Sequence, residues 1–295
     1  MSSTEVTNEH AKQVVACIDG TMLTESVCDY SAWVANKLTA PLKLLHTINH
    51  HHETPITSDL SGNIGFGSQE HLQEQITLLE QEQSKLKLQQ GKLMLEAAKE
   101  YVAKKDIVAP ICSQRHGDLI ESLIVLEDEI RVLVLGLKGQ VHENKPHQIG
   151  AKLEAIIRSL HRPILIVNDT FKTPERFMIA YDGSQAANKA VEMVANSPLF
   201  KNLSCHLVCV NNNEKTAAEQ LEQASNTLKS ISGLDLTTSR LKGKVDLELC
   251  NYQQQHDIDL TIMGAFSHTR IHDMLLGSFT HKMLINTKKP LLLLR

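Results

Sequence analysis

The sequence predicts a pair of doubly wound α/β domains packed against each other as an internal pseudo-dimer. Three observations carry this expectation. An apolar strand ending in Asp-Gly and a hydroxyl residue occurs twice, as Val14-Val15-Ala16-Cys17-Ile18-Asp19-Gly20-Thr21 and as Phe177-Met178-Ile179-Ala180-Tyr181-Asp182-Gly183-Ser184. Landmarks recur at equal intervals: 27 positions from Asp19 to His46 and from Asp182 to Cys209, 18 from Asp118 to Gly136 and from Asp246 to Gly264, and 13 from Gly150 to Pro163 and from Gly277 to Pro290. The apolar runs are short and separated by helix-length segments, as expected of strands buried on both faces of a parallel sheet.

Each half then reads as strand, helix, strand, helix, strand, helix, strand, helix, strand. The crossovers are expected to be right-handed, with ligand crevices at the carboxyl ends of the strands. The first copy is longer. His46 to Asp118 is 72 positions and Cys209 to Asp246 is 37, an excess of 35 residues between its second and third strands. Pro55 to Ser68, with Gly62, Gly65 and Gly67, predicts a flexible loop. Gln69 to Lys105 predicts one long helix with Leu72, Ile76, Leu79, Leu86, Leu93 and Ala97 on a stripe interrupted by Gln83 and Gln90. At about 1.5 Å per residue such a helix approaches 50 Å and overhangs its own sheet. The favoured reading lays it over the sheet and the neighbouring domain; the alternative is a coiled-coil-like arm for a partner.

Asn168 to Glu175 is a short polar linker, which divides the chain into domains 1–169 and 170–295 and holds them together. Pro163-Ile164-Leu165-Ile166-Val167 and Pro290-Leu291-Leu292-Leu293-Leu294-Arg295 each close a copy as an apolar edge strand, a template for pairing with another strand.

The chain has 295 residues, enough for two domains with cores of their own. A net charge of −4 gives no electrostatic reason to expect nucleic acid or an anionic membrane as partner. The amino terminus lacks the apolar core of a signal peptide and no apolar run reaches the length of a membrane span, so a cytosolic location is expected. Six scattered cysteines without a Cys-x-x-Cys pair predict buried reduced thiols.

Chemistry concentrates in the last third. Asp259-Leu260-Thr261-Ile262-Met263 predicts a buried strand and Gly277 to Lys289 a helix, with Gly264 and Gly277 bracketing a long crossing between them. A helix start of this kind offers unpaired N–H groups and a positive dipole end, and Ser278 adds a hydroxyl, so phosphate can be held there. The plainer reading is an ordinary β–α turn with a serine cap.

This stretch resembles the nucleotide loop of the universal stress protein family, whose pattern is Gly, two residues, Gly, nine residues, then Gly-Ser or Gly-Thr. Gly264, Gly277 and Ser278 match it, and Ser267 stands where the family keeps its second glycine. The resemblance covers nearly the whole chain apart from the helical insertion and the first dozen residues, and points to the E-type tandem members. It implies five-stranded parallel sheets in the order 3-2-1-4-5, the adenine nucleotide alpha hydrolase-like arrangement, and a cytosolic stress-response role. The implied ligand is ATP or AMP, with Mg as a further candidate, and the implied role of the edge strands is contact both between the domains and between chains, as a homodimer. It assigns Asp182 to the adenine and ribose, Val210 to the adenine, and Met263, Gly264, Ser267, Gly277, Ser278, Phe279 and Thr280 to the phosphate loop.

The first copy keeps Gly136, Gly139 and Gly150 with Asp19, but ten residues separate the last two glycines and Ala151 replaces the hydroxyl. Its loop also carries Glu143 and Pro146. It is expected to be mainly structural, or adapted to another ligand. His50, His51 and His52 are adjacent, so they cannot all point at one ion, and no acidic or Cys cluster completes a tetrahedral set; His268 and His272 lie in the phosphate loop, so no metal site is expected. No nucleophile elbow, Walker A lysine or His-Glu-x-x-His is present, so no catalytic residue is assigned. Two rival functions remain. A slow ATP hydrolase would need a base near Ser278, for which Asp273 and His272 are the titratable neighbours. A nucleotide-independent scaffold would dock partners on the long helix.

Overall fold

A computed structural model describes residues 12–48, 66–137, 150–229, 234–264 and 277–295. The first half contains β1 (Gln13–Cys17), α1 (Thr24–Leu38), β2 (Leu42–Ile48), α2 (Phe66–Ala103), β3 (Ile111–His116), α3 (Leu119–Val125), β4 (Ile130–Gly136), α4 (Ala151–Ser159) and β5 (Ile164–Val167). The second repeats the series as β6 (Arg176–Ala180), α5 (Gln185–Asn196), β7 (Ser204–Val210), α6 (Glu214–Lys229), β8 (Asp235–Leu241), α7 (Val245–Gln255), β9 (Leu260–Gly264), α8 (Ser278–Asn286) and β10 (Leu291–Leu294).

All ten strands form one sheet, in the order β3-β2-β1-β4-β5-β10-β9-β6-β7-β8. Each half has the expected 3-2-1-4-5 order, and pairing within each half is parallel. The halves meet where β5 and β10 pair antiparallel, with Leu292 opposite Leu165. This is the expected contact between the domains through these strands, and it corrects the expectation that the same strands also join a second chain. Each satisfies the other's backbone groups, and the outer strands of the sheet are β3 and β8.

Strand alternation sends Val14 and Ala16 to one face and Val15 and Cys17 to the other. The first face is covered by α1, α2, α5 and α6, and its core runs unbroken from Trp33 and Leu44 to Val191 and Leu221. The second is covered by α3, α4, α7 and α8, through residues such as Leu123, Ile156, Leu249 and Met283. The polar linker is anchored, not merely short. Phe171 packs edge-on against Tyr30 at 4.8 Å, Asn168 donates to the Thr287 carbonyl at 2.9 Å, and Lys172 lies 2.7 Å from the Asp259 carboxylate.

Two of the three sequence intervals join equivalent positions. Gly150 and Gly277 precede α4 and α8, and Pro163 and Pro290 precede β5 and β10. Asp118 and Asp246 are not equivalent: Asp118 caps α3, accepting from the Ile120 N–H at 2.7 Å, whereas Asp246 lies inside α7, which Lys244 caps.

Helix α2 begins and ends slightly earlier than expected, so Gly67 and Ser68 belong to it, while the loop ahead of Phe66 lies outside the described residues. The predicted stripe is not its buried face. Ile76, Leu79, Leu86 and Leu93 are exposed, and the body is met instead by Gly91, Leu95, Ala98 and Val102. Gly91 leaves room for side chains of the sheet, since a Cβ there would collide with the Gln114 amide and the His46 ring. Room for those side chains, invisible to hydrophobic periodicity, therefore selects the buried face. The thiol expectation holds for Cys17, Cys28, Cys205 and Cys209; Cys250 is half-buried and Cys112, on the outer strand β3, is exposed. No helix among the described residues is long and apolar enough to cross a membrane.

Candidate functional site

The carboxyl ends of β6, β7 and β9 face the amino-terminal turns of α7 and α8 across a cavity of about 540 Å³. Parallel strands bring their ends to one side, and the switch in strand order between β6 and β9 opens the crevice there.

Asp182 leaves β6 in the Asp-Gly-Ser turn. Its carboxylate accepts from the Ser184 N–H at 2.9 Å, and Gly183 adopts φ +76°. Ser184, not Asp182, caps α5, accepting from the Ala187 N–H at 3.1 Å. Asp182 thus holds the turn and still lines the cavity. Burial and the nearby Asp182 charge push the Tyr181 phenol up, so it stays protonated and donates to Asn188 Oδ1 at 2.5 Å.

Val208 and Val210 from β7, Met263 from β9 and Leu249 from α7 make the apolar wall. Gly264 closes β9 against α5: a Cβ there would stand 2.7 Å from the Ala186 carbonyl carbon, so packing by itself demands glycine. Gly277 caps α8 without a positive φ, and among the described residues a Cβ would meet only Thr280 Oγ1, at 3.9 Å. Ser278 and Phe279 form the first turn of α8 and line the cavity, as does Lys282, which shares a face with Ser278 one turn on. Across from them Lys244 Nζ lies 3.7 Å from the buried Asp246 carboxylate, which also receives Asn286 Nδ2 at 3.5 Å.

Six of the predicted residues, Asp182, Val210, Met263, Gly264, Ser278 and Phe279, therefore line one cavity. Gly277 sits next to its lining, at the cap of α8, while Thr280 is buried behind the helix start and is absent from the lining. Ser267 lies outside the described residues, as do His268, His272, Asp273 and the His50–His52 triplet. Sequence reasoning missed Lys244, Asp246 and Lys282. The i, i+4 spacing from Ser278 was available for Lys282, but nothing local marked the other two. Chemically, the cavity pairs an apolar slot and the Asp182 carboxylate at one end with a helix start, the Lys282 ammonium and the ion pair of Lys244 with Asp246 at the other.

Comparison with known proteins follows the same geometry. The chain is 32% identical over 287 residues to the universal stress protein Slr1230 of Synechocystis sp., covering 96% of this chain and all of that protein. It belongs to the universal stress protein family. The family's sequence pattern matches residues 210–295, the part that holds β9, α8 and most of the cavity's α7 wall. A solved universal stress protein from Archaeoglobus fulgidus has the same fold along its length, with a TM-score of 0.67 at 14% identity over 96% of both chains. The functionally unknown protein PA1789 from Pseudomonas aeruginosa aligns with a TM-score of 0.61 at 13% identity, over 97% of this chain and 93% of its own. Both solved chains thus share this fold over nearly their whole length.

Proposed function

We propose that this universal stress protein binds an adenine nucleotide, ATP or AMP, in its second domain, 170–295, and acts as a cytosolic stress-response sensor or binding module, not as a catalyst. The observation that carries the reading is the convergence of Asp182, Val210, Met263, Gly264, Ser278 and Phe279 on one cavity.

Each end of the cavity suits one part of the ligand. Val208, Val210 and Met263 offer a flat apolar surface to the base, and Asp182 accepts from an exocyclic amine or ribose hydroxyls. The first-turn N–H groups of α8 and the Ser278 hydroxyl donate to phosphate, with Lys282 and Lys244 neutralising its charge. Nothing in the described packing requires glycine at position 277, which suits close approach of a phosphate. The first domain, 1–169, is proposed to be mainly structural: Ala151 opens α4 where Ser278 opens α8, so the hydroxyl donor is missing.

Calorimetry with ATP and AMP on the intact protein and on Gly277→Glu tests the proposal. Among the described residues a Cβ at 277 meets only Thr280 Oγ1, at 3.9 Å, so the variant is expected to fold, which its thermal melt checks, while the new carboxylate repels phosphate. One nucleotide per chain, lost in the variant, supports the reading; no binding by the intact protein, or unchanged binding by the variant, overturns it.

A further inference from the structure

Helix α2 outruns the body it belongs to. Its last turns pack on the sheet, yet residues 74–83 are exposed on every side. Exposed apolar side chains on such a stretch gain by being covered, since burial of apolar surface supplies most of a helix's stability in water.

The exposed face has a heptad pattern. Leucines recur every seventh residue at positions 72, 79, 86 and 93, and the positions between them, 76, 83, 90 and 97, hold Ile, Gln, Gln and Ala. Leucine thus occupies every d position, with Ile76, Gln83, Gln90 and Ala97 at a. Ile76, Leu79, Leu86 and Leu93 are 46%, 59%, 64% and 72% exposed. Leu93 lies two residues from both Gly91 and Leu95, about 200° round the helix from each. The stripe therefore faces away from the body that the helix packs on.

We propose that α2 pairs with α2 of a second copy of this chain as a parallel, in-register, two-stranded coiled coil. The flanking charges fit it. Glu82 at g faces the partner's Lys87 at e, twice by symmetry, while the neighbouring g and e pairs, Gln75 with Glu80 and Gln89 with Met94, set no like charges together. The glutamines choose the direction. In the parallel pair Gln83 meets Gln83 and Gln90 meets Gln90, so each amide finds another amide. An antiparallel pair sets Gln83 against Leu86 and Gln90 against Leu79, leaving buried amides without partners. Because the stripe faces outward, the two bodies sit on opposite flanks of the coil.

The intact chain is tested by sedimentation velocity over a concentration series. The expected result is a dimer that becomes monomeric in Leu79→Glu/Leu86→Glu, both exposed positions, with the thermal melt of the body unchanged. Glu82→Lys should weaken association several-fold, and Glu82→Lys/Lys87→Glu should restore it. Gln83→Cys in a Cys112→Ser background should form a disulfide-linked dimer on mild oxidation. A monomeric intact chain, or a dimer that survives the Leu79→Glu/Leu86→Glu change, overturns the proposal. A dimer that Gln83→Cys does not cross-link overturns its parallel register.

Discussion

Leu165 and Leu292 face each other across the antiparallel pair that joins the two halves. Both are buried, and both contribute to the core that spans α1, α2, α5 and α6. The junction is therefore built like a domain interior.

Leu292→Ala should cost about 2–5 kcal/mol, the usual range for a buried leucine whose cavity closes incompletely. Because the core is continuous, urea unfolding followed by circular dichroism should keep a single transition in the variant. Two resolved transitions would show that the halves unfold independently.

Acid sensitivity should centre on Asp259. Its burial would by itself raise the carboxyl's pKa, but the Lys172 ammonium at 2.7 Å and the N–H groups of Glu175 at 3.0 Å and Arg176 at 3.1 Å outweigh it and lower the value. A folded pKa below the unfolded one contributes stability that is present above the unfolded value and lost as pH falls through the folded one. Asp259→Asn should be less stable than the parent at neutral pH, and the gap should narrow below about pH 4. Melting temperatures measured across that range check it; a constant gap would contradict it.

Gly264→Ala places a methyl group 2.7 Å from the Ala186 carbonyl carbon and 2.9 Å from its Cβ. Backbone must move, at a typical overpacking cost of about 1–3 kcal/mol. Among the described residues Gly277→Ala meets only a 3.9 Å contact, and it should melt like the parent. Equal melting temperatures for the two variants would rule out this account of Gly264.

Thiol labelling should separate the cysteines. Cys112 is exposed on β3 and should react first, with the half-buried Cys250 slower. Burial, with the nearby charge of Asp19 for Cys17 and of Asp235 for Cys205, pushes both thiols up to about 12, so they should react only on unfolding. Mass mapping of a timed reaction with an aromatic disulfide reagent decides the order.

Lys282 and Lys244 should matter more for ATP than for AMP, because added phosphates bring added charge to their end of the cavity. Lys282→Ala should weaken ATP binding roughly tenfold, corresponding to about 1.4 kcal/mol, and AMP binding less. Titration of both nucleotides against the variant checks this, and equal losses would place Lys282 elsewhere.

The repeat and the alternation of strands and helices were legible in the sequence, because buried parallel strands and tight turns use few residue types at regular spacing; the strand order within each half and six residues of the cavity came from the family resemblance that Gly264, Gly277 and Ser278 carry. Asp182, Gly264 and Ser278 could be named because that resemblance reaches them. Lys244 and Asp246 could not, since a charged residue in a helix's first turn reads as solvated until a strand end is folded against it. Helix α2 shows the same division. Its existence and length followed from composition, but two apolar or small-residue stripes compete for the sheet, and the one containing Gly91 wins because glycine leaves room there for the Gln114 and His46 side chains. The sequence by itself determined the elements, their order and the repeat. The tertiary structure decided that β5 and β10 satisfy each other, so the two halves share one sheet and the leucine stripe of α2 is left facing water.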